Sequence, residues 1–112
     1  MRRQEKLCYC GVAAAQNVIE FLSGQVVPQD HLAHLMRVLD TRGVCKGCKI
    51  GRFKRVLKKE FRLQCRELPF KDLEGHLRRY DHLSCPVTVW FDPRVVYGLE
   101  YGDKPHTGII LR

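Results

Sequence analysis

Val12, Ala15, Ile19 and Leu22 recur at helical spacing, and Val18 and Phe21 widen the stripe they make. A helix from about Cys10 to Leu22 with so broad an apolar face has to be well buried, and Ser23-Gly24 supplies its end. The rest of the chain must therefore provide its cover. Pro28 can open a second helix whose stripe is Leu32, Leu35, Met36 and Leu39, closing before Gly43. The spacing predicts a third helix from about Ile50 to Glu60 and a fourth from Lys71 to Tyr80, the latter through Leu73, Leu77 and Tyr80. Arg62 to Glu67 alternates polar residues with Leu63 and Cys65, the pattern of a short strand. Val87 to Phe91 is β-branched and aromatic between Pro86 and Asp92-Pro93, and Thr107 to Leu111 is a second such run after a loop containing Gly, Asp and Pro. Helices followed by strands predict an α+β class. No repeat, low-complexity tract or linker divides the chain, so residues 1–112 read as one domain.

A chain of 112 residues can bury roughly two-thirds of the surface its unfolded form exposes, enough for a core without staples. Its densest apolar stretch, Pro86 to Phe91, falls far short of the roughly 20 residues of a membrane span. The opening Met1-Arg2-Arg3-Gln4-Glu5-Lys6 has no apolar run behind it, so a secretory signal is not expected and a cytoplasmic setting is. In a reducing compartment the six cysteines read as thiols, catalytic, metal-bound or packed, and not as a disulfide framework.

Twenty Lys and Arg against twelve Asp and Glu leave a net charge of +8. Much of it lies between Lys46 and Arg66, which also contains Lys49, Arg52, Lys54, Arg55, Lys58, Lys59 and Arg62. Such density suits nucleic acid or an anionic surface. These charges interleave with Ile50, Phe53, Val56, Leu57 and Phe61, so they read first as the solvated face of an amphipathic helix, and nucleic acid ranks below a peptide as a partner.

Cys10 stands where the buried helix begins, and Gly11 lets another backbone approach closely. Helix N-terminal amides and the macrodipole favour thiolate over thiol, and the same amides can face an oxyanion. A nucleophilic cysteine also needs a base. His106 opens the last apolar run after Asp103-Lys104-Pro105, a placement on a rigid element beside a loop.

With Gln4 six positions before Cys10-Gly11-Val12-Ala13, and His106 opening a hydrophobic strand, the sequence resembles the papain-like double-glycine leader peptidases, the peptidase domains of bacteriocin exporters and their stand-alone relatives. The likeness runs over nearly the whole chain, from the Gly43 loop through the Pro-led strand before the histidine. It implies a papain-like cysteine peptidase fold, with N-terminal helices packed on a C-terminal antiparallel sheet. It further implies a peptide or protein substrate cut after small residues, an ABC transporter as a possible associate, and no cofactor or metal. Cys10 would be the nucleophile, His106 the general base, and Gln4 and the Cys10 amide the oxyanion donors, each donor worth about 10² to 10³ in rate. The family's Asp or Asn that orients the histidine lies on a following strand and has no match before Arg112. The corresponding expectations are a truncated chain, a Cys/His dyad, or a catalytically inactive domain that keeps the fold to bind peptides; Asp92 and Asp103 match no family position.

Other readings use the same residues. Gln4 and Tyr9-Cys10-Gly11 also resemble the phytochelatin synthases, papain-like transpeptidases with longer catalytic domains. Cys8-x-Cys10 and Cys45-x-x-Cys48 together offer four thiolates, the ligand set of a zinc-stabilised nucleic-acid-binding module. His31 and His34 share a helix face but are expected to point to solvent, while Cys65 and Cys85 read as packing residues. Cys8 stands two residues from Cys10, where it could capture an oxidised Cys10.

Overall fold

The structure, a computed structural model, describes residues 1–79, 86–91 and 106–110, and gives the backbone alone for Phe70, Trp90, Phe91 and 106–110. Its elements are helices α1 (Cys10–Ser23), α2 (Gln29–Leu35) and α3 (Ile50–Phe61), a 3-10 turn (Phe70–Asp72), α4 (Leu73–Arg79), and strands β1 (Val87–Phe91) and β2 (His106–Ile110). The strands pair antiparallel, with Phe91 opposite His106, Val89 opposite Gly108 and Val87 opposite Ile110. Helix α1 packs against α2, α3 and β2.

Helix α1 is the centre of this arrangement because every residue from Gly11 to Ile19 is buried. Around it Tyr9, Val27, Leu32, Met36, Val38, Phe53, Val56 and Leu57 close a single apolar cluster. Burial relaxes at the helix end, where Phe21 and Leu22 are each about two-fifths exposed. Gly24 then takes φ 75° and donates its N–H to Glu20 O at 2.8 Å, a conformation that costs glycine little.

Helix α2 departs from its sequence expectation by stopping at Leu35 and not continuing toward Gly43. Arg37 turns left-handed at φ 52°, and the Val38 N–H returns to Ala33 O at 3.1 Å, closing the last turn. Met36 still reaches the core, but Leu39 enters an antiparallel bridge with Cys45. The Asp40 carboxylate makes that loop by accepting the Arg42 and Val44 N–H groups, each at 2.8 Å. This local competitor for backbone donors is why the helical stripe does not continue.

The strand expected over Arg62 to Glu67 is absent. Arg62 is instead the left-handed cap of α3, and Leu63 donates its N–H to Leu57 O at 2.9 Å, so the chain folds back on the helix. The apolar alternation still has a role, since Leu63 and Cys65 pack against the core from this loop. The fourth helix is described over Leu73–Arg79 behind the 3-10 turn, and Tyr80, Cys85, Asp92, Asp103 and Leu111 lie outside the described residues. On α3, Phe53, Val56 and Leu57 are buried while Arg55, Lys58 and Lys59 face solvent, as an amphipathic helix requires. Among the described residues no helix is long and apolar enough to cross a membrane.

Candidate functional site around Cys10

Cys10 is the first residue of α1, and Tyr9 caps the helix without a side-chain hydrogen bond. No acidic residue lies in the first turn to offset the positive end of the helix dipole. The turn in front of Cys10 is firmly built. Tyr9 is only 1% exposed, its hydroxyl donates to Asp30 Oδ1 at 2.7 Å, and Lys6 Nζ reaches the same oxygen at 3.2 Å. The Tyr9 hydroxyl and then the Lys6 ammonium hold the Asp30 carboxyl below its ordinary range.

Gln4 lies within a tether that sequence patterning did not reveal. Asn17, buried on α1, accepts the Arg2 N–H at 2.7 Å and donates to Arg2 O and Ala13 O, each at 2.8 Å. Gln29, 2% exposed, accepts the Glu5 N–H at 3.0 Å and donates to Arg3 O at 2.8 Å and Gln16 Oε1 at 2.9 Å. Gln16 in turn donates to Val27 O at 2.9 Å. Three buried amide side chains thus hold the backbone on both sides of Gln4 much as a neighbouring strand would. The only sequence signal was two amides, Gln16-Asn17, inside an otherwise apolar helix. Gln4 itself donates its amide to Lys6 O at 2.9 Å and Leu7 O at 3.0 Å, bracing the turn that leads to Cys10. An oxyanion would have to compete with those two carbonyls for the Gln4 amide.

The backbone of His106 opens β2, the strand that packs on α1, while its imidazole is not among the described side chains. The fold therefore brings together the two elements that carry Cys10 and His106, which are remote in sequence.

The cysteines around Cys10 form a neighbourhood of their own. Burial first, then a hydrogen bond to Cys45, pushes the Cys8 thiol up to about 11, with Cys10 also within electrostatic reach. Burial pushes Cys48 up to about 12, and Cys10 lies near it too. The Cys48 thiol contacts Met36 Sδ at 3.8 Å. Cys65 is also raised by burial, partly offset by Lys54. Cys8, Cys48 and Cys65 consequently remain thiols at neutral pH.

Among the described residues no group of three or more His, Cys, Asp or Glu is arranged to hold a metal ion, the four cysteines of the zinc reading included. His31 and His34 are exposed on α2. No family model, curated protein or solved structure matches the chain.

Proposed function

We propose that the chain is a papain-like cysteine peptidase of the double-glycine type, acting in the cytoplasm on a peptide or protein and cutting after small residues. The observation that carries this reading is the packing of the strand opened by His106 on the helix opened by Cys10. Cysteine catalysis needs a base on a rigid element near the nucleophile, and the contact between these two elements is what supports the pairing of Cys10 with His106.

In the proposed reaction the Cys10 sulfur attacks the scissile carbonyl carbon, forming a tetrahedral oxyanion. The Cys10 amide and Gln4 Nε2 donate to that oxygen, and Gln4 can turn toward it by releasing the Lys6 and Leu7 carbonyls. His106 passes a proton to the leaving amine, giving a thioester on Cys10. Water, deprotonated by His106, then hydrolyses the thioester and restores the thiolate. Glycines before the scissile bond suit this chemistry because they let the substrate backbone approach Cys10 without side-chain clashes. Association with an ABC exporter is part of the same proposal.

The present hydrogen bonding of Gln4 favours a second reading, a papain-like domain that binds peptides without cutting them. One experiment separates the two. A Gly-Gly leader peptide is incubated with the wild type, Cys10→Ala and His106→Ala, and both cleavage and binding are followed. Cleavage after Gly-Gly that is lost in both variants supports the peptidase. Binding without cleavage supports the second reading, and micromolar oligonucleotide binding without peptide binding overturns both.

A further inference from the structure

We propose that the cleft between α3, the 63–68 segment and β1 binds a free fatty acid, its alkyl chain among apolar side chains and its carboxylate against basic residues at one end. Two cavities would hold the chain. One of about 270 Å³ includes Ile50, Leu73 and Val89 in its lining, and one of about 460 Å³ reaches Val18, Leu22, Leu57 and Leu63. They share Phe53, Cys65, Leu68, Val87 and Thr88, so they adjoin along one largely apolar wall. A third cavity, of about 340 Å³, shares Arg66, Leu68 and His76 with the second and is otherwise lined by Lys71, Asp72, Gly75 and Arg79.

The path of the chain explains why this cleft is open. The left-handed Arg62 turns the backbone over α3, and from there Leu63 and Cys65 touch the core from a loop and not from a paired strand. Leu63, Cys65, Leu68, Val87 and Val89 are consequently only half-buried. Leu22, on the same lining, is 42% exposed although α1 is enclosed from Gly11 to Ile19. Apolar side chains left in this state around a concave surface are the usual lining of a ligand site, and the larger cavity falls within the range of about 300 to 1,000 Å³ such sites occupy.

Charge distinguishes the two ends of the cleft and so orients the ligand. At the Ile50 end Lys54 Nζ meets Glu67 Oε2 at 3.6 Å, so cation and anion offset each other. At the other end Arg66, Lys71 and Arg79 are exposed and enter no ion pair with a described residue. Asp72 is the one carboxylate on that lining, while Glu74 nearby is engaged by Arg78 at 2.6 Å. Guanidinium groups bind carboxylates through paired, charge-assisted hydrogen bonds. A compact anion would leave the apolar wall uncovered and an uncharged hydrocarbon would leave these cations unused, whereas a fatty acid satisfies both. Leu22 stands about 18 Å along the α1 axis from Cys10, and neither Cys10 nor Gln4 lines any of the three cavities. The proposal therefore holds whether or not the protein is a peptidase.

The test is calorimetric titration of the full chain with sodium dodecanoate below its micelle concentration, beside dodecanol, dodecyltrimethylammonium and phosphatidylcholine vesicles containing phosphatidylglycerol. The expected result is saturable one-to-one binding of dodecanoate, with dodecanol about tenfold weaker or more. The double variant Arg66→Gln, Arg79→Gln should weaken dodecanoate by about tenfold and leave dodecanol unchanged. Leu22→Asp should weaken both, because it puts a charge on the apolar wall. If Leu22→Asp does not fold, the arginine variant decides, since both of its side chains are exposed. Dodecanoate carrying a diazirine near its methyl end should label peptides from 63–68 or 86–89. No saturable binding, equal affinity for dodecanol, tighter binding of the ammonium amphiphile, labelling confined to other segments, or vesicle binding without dodecanoate binding overturns the proposal.

Discussion

Helices α1 and α3 meet the same core in opposite ways. Helix α1 is enclosed along Gly11 to Ile19 and carries Gln16 and Asn17 inward to bond distant backbone. Helix α3 commits only Phe53, Val56 and Leu57 and leaves its basic side chains in water. The difference teaches where specificity resides in this chain. A single apolar stripe docks a helix but tolerates many neighbours, whereas buried amides accept only partners placed at hydrogen-bond distance.

Four measurements would break or sharpen that contrast. Ile19→Ala should have the largest effect, a loss of about 3 to 4 kcal/mol in urea unfolding, because the side chain is fully buried in the enclosed helix and its cavity is hemmed in on several sides. Asn17→Ala should cost about 2 kcal/mol by stranding the Arg2 and Ala13 groups it now satisfies. Hydrogen exchange should then quicken at Arg2 and Glu5 while α3 amides keep their protection. Equal loosening of α3 would mean that the N-terminal tether and that helix open as one unit.

The third measurement is alkaline stability. Folding raises the Cys48 thiol from 9.0 to about 12 and Cys8 from 9.0 to about 11, so the folded chain holds these protons more tightly than the unfolded chain does. Their contribution is complete below pH 9 and is lost as pH rises through the folded values. Cys48→Ala should therefore flatten the fall of stability between pH 9 and about 12, and an unchanged slope would show that Cys48 is not held as a buried thiol. The smallest effect belongs to the open face of α3. Lys58→Ala and Lys59→Ala should each change stability by less than about 0.5 kcal/mol, and a larger cost would mean that this face is not merely solvated.

How much was legible beforehand follows from the same contrast. The start of α1 at Cys10, its end at Gly24, the Pro28 entry to α2 and the buried stripe of α3 are written in local periodicity and cap residues. Other features turned on local competition that periodicity does not encode. Leu39 fits a continued α2 by spacing, but the Asp40 carboxylate offers the backbone a turn instead. Leu63 and Cys65 alternate like a strand, yet the left-handed Arg62 sends them back onto α3.

The candidate site divides along the same line. Sequence alone named Cys10 and His106, because a cysteine at a helix start and a histidine at a strand start are local signatures, and Gln4 entered only through the family resemblance. It also marked Lys46 to Arg66 as a solvated basic helix face, since a 3.6-residue period separates charge from apolar residues within a few turns. Only the tertiary structure decided that β2 lies on α1 and that Gln29 and Asn17 hold the segment carrying Gln4. Periodicity reports which side of an element is apolar, but a hydrogen bond between residues far apart in the chain depends on the arrangement of whole elements, and no local pattern encodes that arrangement.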